Sequence, residues 1–99
     1  MRFSLLTGLG GTEDYPELAR AAEASGFNSL AIPDSLFYPE ITESDYPYMN
    51  TDAVRQVLDG VPVLDPFVAM ASMAAVTSTL RFYPAVMKVP VRQPLVLAK

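Results

Sequence analysis

Asp34 and Ser35 stand together behind Pro33, at the end of the apolar run Ser29-Leu30-Ala31-Ile32. The carboxylate can accept a hydrogen bond or relay a proton, and the hydroxyl can donate to the same partner. Proline, aspartate and serine are also the residues of an ordinary turn, for backbone reasons alone. Their position argues for chemistry, because α/β folds deliver polar side chains at the C-terminal ends of parallel strands. Farther along, Tyr38, Tyr46 and Tyr48 join Leu36, Phe37, Ile41 and Met49 in one long connection. These side chains suit either the lining of a small-molecule cleft, with the tyrosines on the substrate, or a satellite apolar cluster beneath the loop.

Composition narrows the chemistry further. The 99 residues are 51% hydrophobic and 18% charged, with a formal charge of −4, which is the balance of a globular chain with material for a core. There is no histidine and no cysteine, so the commonest general base, the commonest metal ligand and every thiolate site are absent from these residues. A metal site is not expected. The basic residues are scattered, which argues against a nucleic-acid surface, and no apolar run is long enough to span a membrane. The N-terminus lacks the pattern of a signal peptide, so a cytoplasmic protein is expected.

The elements that must position Asp34 and Ser35 follow from periodicity and punctuation. Arg2 to Leu6 suits a buried strand feeding the glycine turn Thr7-Gly8-Leu9-Gly10-Gly11, whose spacing matches no phosphate-binding fingerprint. Asp14-Tyr15-Pro16-Glu17 predicts a helix start with Asp14 as N-cap and Glu17 closing a capping box. The alanine-rich body then presents Tyr15, Leu18 and Ala22 as its inner stripe, with Arg20 and Glu23 as a weak exposed pair, and Gly26 ends it. Ser29 to Ile32 completes a strand-helix-strand unit, which requires parallel pairing. The connection from Pro33 to Asp65 is acid-rich, and a short helix within 50–58 would end at Asp59-Gly60.

Asp65-Pro66 announces a second helix, with Phe67, Met70, Ala71, Ala74 and Ala75 at core spacing. Leu80 to Met87 reads as a third strand, and Pro84 within it must mark an edge, a bulge or the strand's end. Pro94 opens a helix, Leu95 to Lys99, that stops after barely a turn. The alternation of strands and helices is that of an α/β barrel or a doubly wound sheet.

Several strings make the pattern more specific. Glu13-Asp14-Tyr15, Glu17 to Glu23, Gly26-Phe27-Asn28-Ser29, Asp34 to Glu40, Tyr46-Pro47-Tyr48, Leu64 to Ala69, Ala74 to Ser78 and Arg92 to Lys99 occur in the order found in the N-terminal part of the bacterial luciferase-like monooxygenase superfamily, which the whole chain resembles. The resemblance implies a (β/α)₈ barrel that binds FMN or the deazaflavin coenzyme F(420) at the C-terminal ends of its strands. Residues 1–99 would form one N-terminal part of a single barrel domain, three strands and two complete helices, cut at the start of the third helix. It also implies a homodimer at full length, Asp34 and Ser35 at the cofactor pocket, and a non-proline cis peptide at Ala85-Val86 behind the ring. Ser35 departs from the histidine that many deazaflavin-dependent members carry after the aspartate. Proton transfer through that histidine is therefore unavailable here.

The function implied is hydride transfer between the cofactor and a small organic substrate, with the fragment inactive alone. The alternatives are a hydrolase or isomerase barrel whose acids lie elsewhere, and a non-catalytic truncated chain.

Overall fold

The computed structural model describes residues 1–8, 12–37, 56 and 58–99. Three strands, β1 (Ser4–Leu6), β2 (Ser29–Ile32) and β3 (Arg81–Pro84), form one parallel sheet in the order β1-β2-β3. Helix α1 (Tyr15–Ala24) connects the first pair and helix α2 (Pro66–Ala74) precedes the third strand. A 3₁₀ turn at Val89–Val91 and the short helix α3 (Pro94–Leu97) follow β3.

The register explains the two faces of the sheet. Leu5, Leu30 and Phe82 are in line across the strands and meet α1 and α2 in the core, with Ile32 one step along. Alternation along each strand puts Ser4, Leu6, Ala31, Arg81 and Tyr83 on the opposite face. There the Ser4 hydroxyl and the Tyr83 hydroxyl are 2.8 Å apart, and Leu6 is 63% exposed. One face is thus covered by helices, and the other is not covered by the described residues.

The observed strands are shorter than periodicity predicts. β1 is Ser4–Leu6 rather than Arg2 to Leu6, although Phe3 still bonds Asn28 through Asn28 N–H to the Phe3 carbonyl (2.9 Å) and Phe3 N–H to Asn28 Oδ1 (3.0 Å). β3 ends at Pro84 instead of running from Leu80 to Met87. Arg81 N–H donates to the Asn28 carbonyl and Ala85 N–H to the Ile32 carbonyl, so alternation points the nitrogen of Pro84 away from β2. The missing donor therefore falls on the outward edge, where it interrupts no bond to β2.

Helix α1 starts at Tyr15 but not through the expected capping box. Asp14 closes a 3₁₀ turn, Thr12–Asp14, and has helical backbone angles (φ −87°, ψ −4°), with no side-chain cap bond. A capping side chain needs a non-helical backbone at its own residue to reach over the first turn. The inner stripe is Tyr15, Ala19 and Ala22, with Leu18 only half-buried. Gly26 lies at φ +82° and ends the helix as expected.

Helix α2 is capped as its sequence predicts, Asp65 accepting from Phe67 N–H (2.9 Å) and Val68 N–H (3.4 Å) with Pro66 in the first turn. Its buried side is Pro66, Ala69 and Met73, flanked by Met70, not the stripe from Phe67 through Ala75. The helix is apolar nearly all round, so spacing alone fits more than one stripe, and packing against α1 and the sheet chooses between them. Ala19, Ala22 and Ala69 are small enough to let the two helices approach closely. Gln56 and Leu58 are helical and lead into the turn at Asp59-Gly60, with Gly60 at φ +70°.

Candidate site at the strand C-terminal ends

β2 runs directly into Pro33 and Asp34, and β3 into Ala85, Val86, Met87 and Lys88, so the parallel register brings both exits to the same end of the sheet. The N-terminus of α2, with Asp65, lies at that end too. Asp34 is buried, its side chain wholly inaccessible. Such a carboxylate must be paired, because an uncompensated buried charge is costly.

The pairing comes from Arg92, 58 positions away. Its Nη2 donates to Asp34 Oδ1 (2.6 Å) and its Nε to Asp34 Oδ2 (3.1 Å), a two-pronged contact, while Nη1 donates to Asp65 Oδ2 (2.9 Å). All three guanidinium nitrogens are engaged, and the group lies over the Phe67 ring at 4.9 Å from its centroid. The fork geometry of arginine suits this arrangement in a way a lysine ammonium cannot copy. The Lys88 backbone N–H adds a third donor to Asp34, at 2.8 Å to Oδ2.

These contacts fix the charge state. Hydrogen bonding from Arg92, helped by the Lys88 N–H, holds the Asp34 carboxyl below the usual carboxylate range although burial pushes the other way. The same contact to Asp34 raises the Arg92 guanidinium further above its already high value. Asp34 is therefore a persistent anion with three donors on its two oxygens, poorly suited to take a proton. Both of its oxygens are committed to these donors.

The other predicted residues are distributed as follows. Ser35 is half-buried beside Asp34, and Ala85 and Val86 follow β3 directly. The Ala85–Val86 peptide bond is cis, and Val86 is 82% exposed at the strand ends. Phe37 is also exposed, with Lys88 Nζ 6.0 Å from its ring centroid. Tyr38, Tyr46 and Tyr48 lie outside the described residues. Among the described residues no cluster of acidic groups could hold a metal, and no helix is long and apolar enough to cross a membrane.

Sequence reasoning missed Arg92, placed in a loop before a short helix, and the partners of Glu23. The only local signal for Arg92 was that a buried Asp34 requires a cation, which Arg55, Arg81, Lys88 or Lys99 could equally have supplied. Glu23 does not pair with Arg20 as expected. Its Oε1 accepts from the N–H groups of Ser78 (2.9 Å), Thr79 (2.6 Å) and Leu80 (3.0 Å) and from the Thr79 hydroxyl (2.9 Å), clasping the turn into β3. Those donors, Thr79 N–H foremost, lower the Glu23 carboxyl to about 2.

Parallel β/α units with a polar cluster at the strand C-terminal ends are common to α/β barrels and doubly wound sheets. Residues 3–99 match the luciferase-like monooxygenase family, and the chain belongs to that family, whose fold is the (β/α)₈ barrel. Uncharacterized proteins of Mycobacterium bovis and of two strains of Mycobacterium tuberculosis are each 44% identical to it over 99 residues, covering 100% of this chain. The chain spans about a third of the length of these relatives, 34% of each. No solved structure matches.

Proposed function

We propose that the chain contributes the opening β/α units of a flavin- or deazaflavin-dependent oxidoreductase, which moves a hydride between the cofactor ring and a small organic substrate. Family membership carries this reading, since luciferase-like proteins generally use flavin or F(420) cofactors. The residues present suit one part of such a group. A flat heteroaromatic ring has apolar faces and a hydrogen-bonding edge, and the strand ends offer Val86 as an exposed apolar surface at the β3 exit and the half-buried Ser35 at the β2 exit. No equivalent cradle for a phosphate tail is found among the described residues, and in barrels that site commonly follows late strands.

In this reading Ala85 and Val86 hold the ring face, and Ser35 donates to its polar edge. Substrate binding by Tyr38, Tyr46 and Tyr48 is part of the same proposal. The bound cofactor supplies the hydride chemistry, while the protein orients the reactants. Asp34, locked to Arg92, keeps the strand exits in place, and a serine hydroxyl is too weak an acid to replace histidine at neutral pH, so protonation falls to another group. A homodimer belongs to the same proposal.

Titrating the complete barrel protein to which the proposal assigns these residues with FMN and with F(420), followed by cofactor absorption and fluorescence, tests it. Saturable binding of one of them, weakened at least tenfold by Val86→Asp, is expected, because a carboxylate would face an aromatic surface. Val86 is 82% exposed, so this variant should fold normally. Binding of neither cofactor by the wild type would overturn the proposal.

A further inference from the structure

Val86 and Met87 are held between two anchors on the same strand exit. On one side Ala85 N–H donates to the Ile32 carbonyl (2.8 Å), the last bond of the sheet ladder. On the other, Lys88 N–H donates to Asp34 Oδ2 (2.8 Å). Ile32 ends β2 and Asp34 lies two residues beyond it, so the two-residue span is tied at both ends to the β2 exit. The first anchor is ordinary backbone pairing. The second depends wholly on a side chain, and its placement depends on Arg92, which grips both Asp34 oxygens and is itself held by Asp65 at the start of α2.

We infer that the Asp34–Arg92–Asp65 network is a positioning latch: it fixes the Val86–Lys88 segment at the strand ends, and thereby the apolar surface that Val86 presents to a planar heteroaromatic ligand. The ligand clause rests on the proposed function, whereas fixation of the segment stands on the hydrogen bonds alone. Arg92 is a positioning residue, since its three nitrogens are engaged by Asp34 and Asp65. Three features argue for a latch over a surface ion pair. Asp34 is inaccessible and Arg92 is only 10% exposed, so solvent does not compete for the contact. The guanidinium is fixed in angle as well as distance, by its fork on Asp34 and by its stacking on Phe67. The network also ties together the β2 exit, the start of α2 and the segment after β3, which approach one another only in the folded chain.

The test pairs amide hydrogen exchange with cofactor titration on Arg92→Lys, which keeps the charge and loses the fork. Exchange at the Lys88 amide should accelerate at least tenfold while Leu30 and Ala31 in β2 stay protected. The Kd for whichever of FMN and F(420) the wild type binds should rise at least tenfold, with a shift in the bound-cofactor absorption band that a purely structural role would not produce. Asp65→Asn retains a capping side chain for α2 and removes charge from the third arm, so it should give the same changes in smaller measure, and it carries the test if Arg92→Lys does not fold. Unchanged exchange at Lys88 would overturn the latch. Faster exchange with unaltered affinity and spectrum would overturn its role at the ligand. If the wild type binds neither cofactor, the proposed function and the ligand clause fall together, and the exchange result alone decides whether the segment is latched.

Discussion

Replacing Arg92 by Met removes the guanidinium while retaining an unbranched apolar side chain that can still cover Phe67. Asp34, whose side chain has no solvent access, would be left with only the Lys88 N–H. Removing one partner of a buried ion pair typically costs ~3–5 kcal/mol, because the other charge is left uncompensated. Asp34→Asn is the milder change. Its amide group turns a donor toward donors, but Arg92 keeps Asp65 and can lean toward solvent, so about 1–3 kcal/mol is expected. The double variant leaves no buried unpaired charge, and its cost should fall short of the sum by about 2 kcal/mol or more.

Urea unfolding of the four proteins at neutral pH, read as midpoints at constant m-value, measures this coupling. The pH dependence has a definite sign. The Asp34 carboxyl is lowered in the folded state, so its stabilisation is fully present above the unfolded value near ~3.9 and is lost as pH falls through the folded value. The penalty of Arg92→Met should accordingly shrink in acid, where protonation removes the stranded charge. A cost below about 1 kcal/mol for Arg92→Met, or a coupling below about 0.5 kcal/mol, would mean that water reaches the pair and that the buried-latch reasoning is wrong.

Two further outcomes are expected. Glu23→Gln should lower stability at neutral pH and flatten its acid dependence between about 4.5 and about 2, because a lowered carboxyl contributes stability above its unfolded value that disappears as pH falls through the folded one; identical acid-unfolding curves for variant and wild type would deny the clasp any energetic role. Met73→Ala, at a position with no solvent exposure between α2 and the sheet, should cost ~2–5 kcal/mol by thermal or urea unfolding, and a loss under about 1 kcal/mol would mean that the site collapses around the gap.

Local chemistry made much of this protein legible in its sequence. Ser29–Ile32 is the predicted second strand, residue for residue. Asp65-Pro66 caps α2, Gly26 ends α1 in the left-handed region, and Pro94 opens α3. Each depends on backbone geometry within a few residues, and the strand-helix-strand spacing then dictated parallel pairing. The ordered strings from Glu13 to Lys99 carried the family, and with it the barrel.

Tertiary structure decided what depends on distant partners. The inner face of α2 could not be chosen from a helix apolar nearly all round until α1 and the sheet supplied the surface it meets. Asp34 looks like a free carboxylate at a strand end, and only the meeting of the β2 exit, the start of α2 and the segment after β3 shows its oxygens committed to Arg92 and Lys88. Glu23 looks like one half of a helix-surface pair, yet it serves a turn 55 residues away because the register places that turn beside the end of α1. Hydrogen-bond donors carry no sequence mark of the acceptor they will meet, and across such separations the assignment belongs to the packed fold.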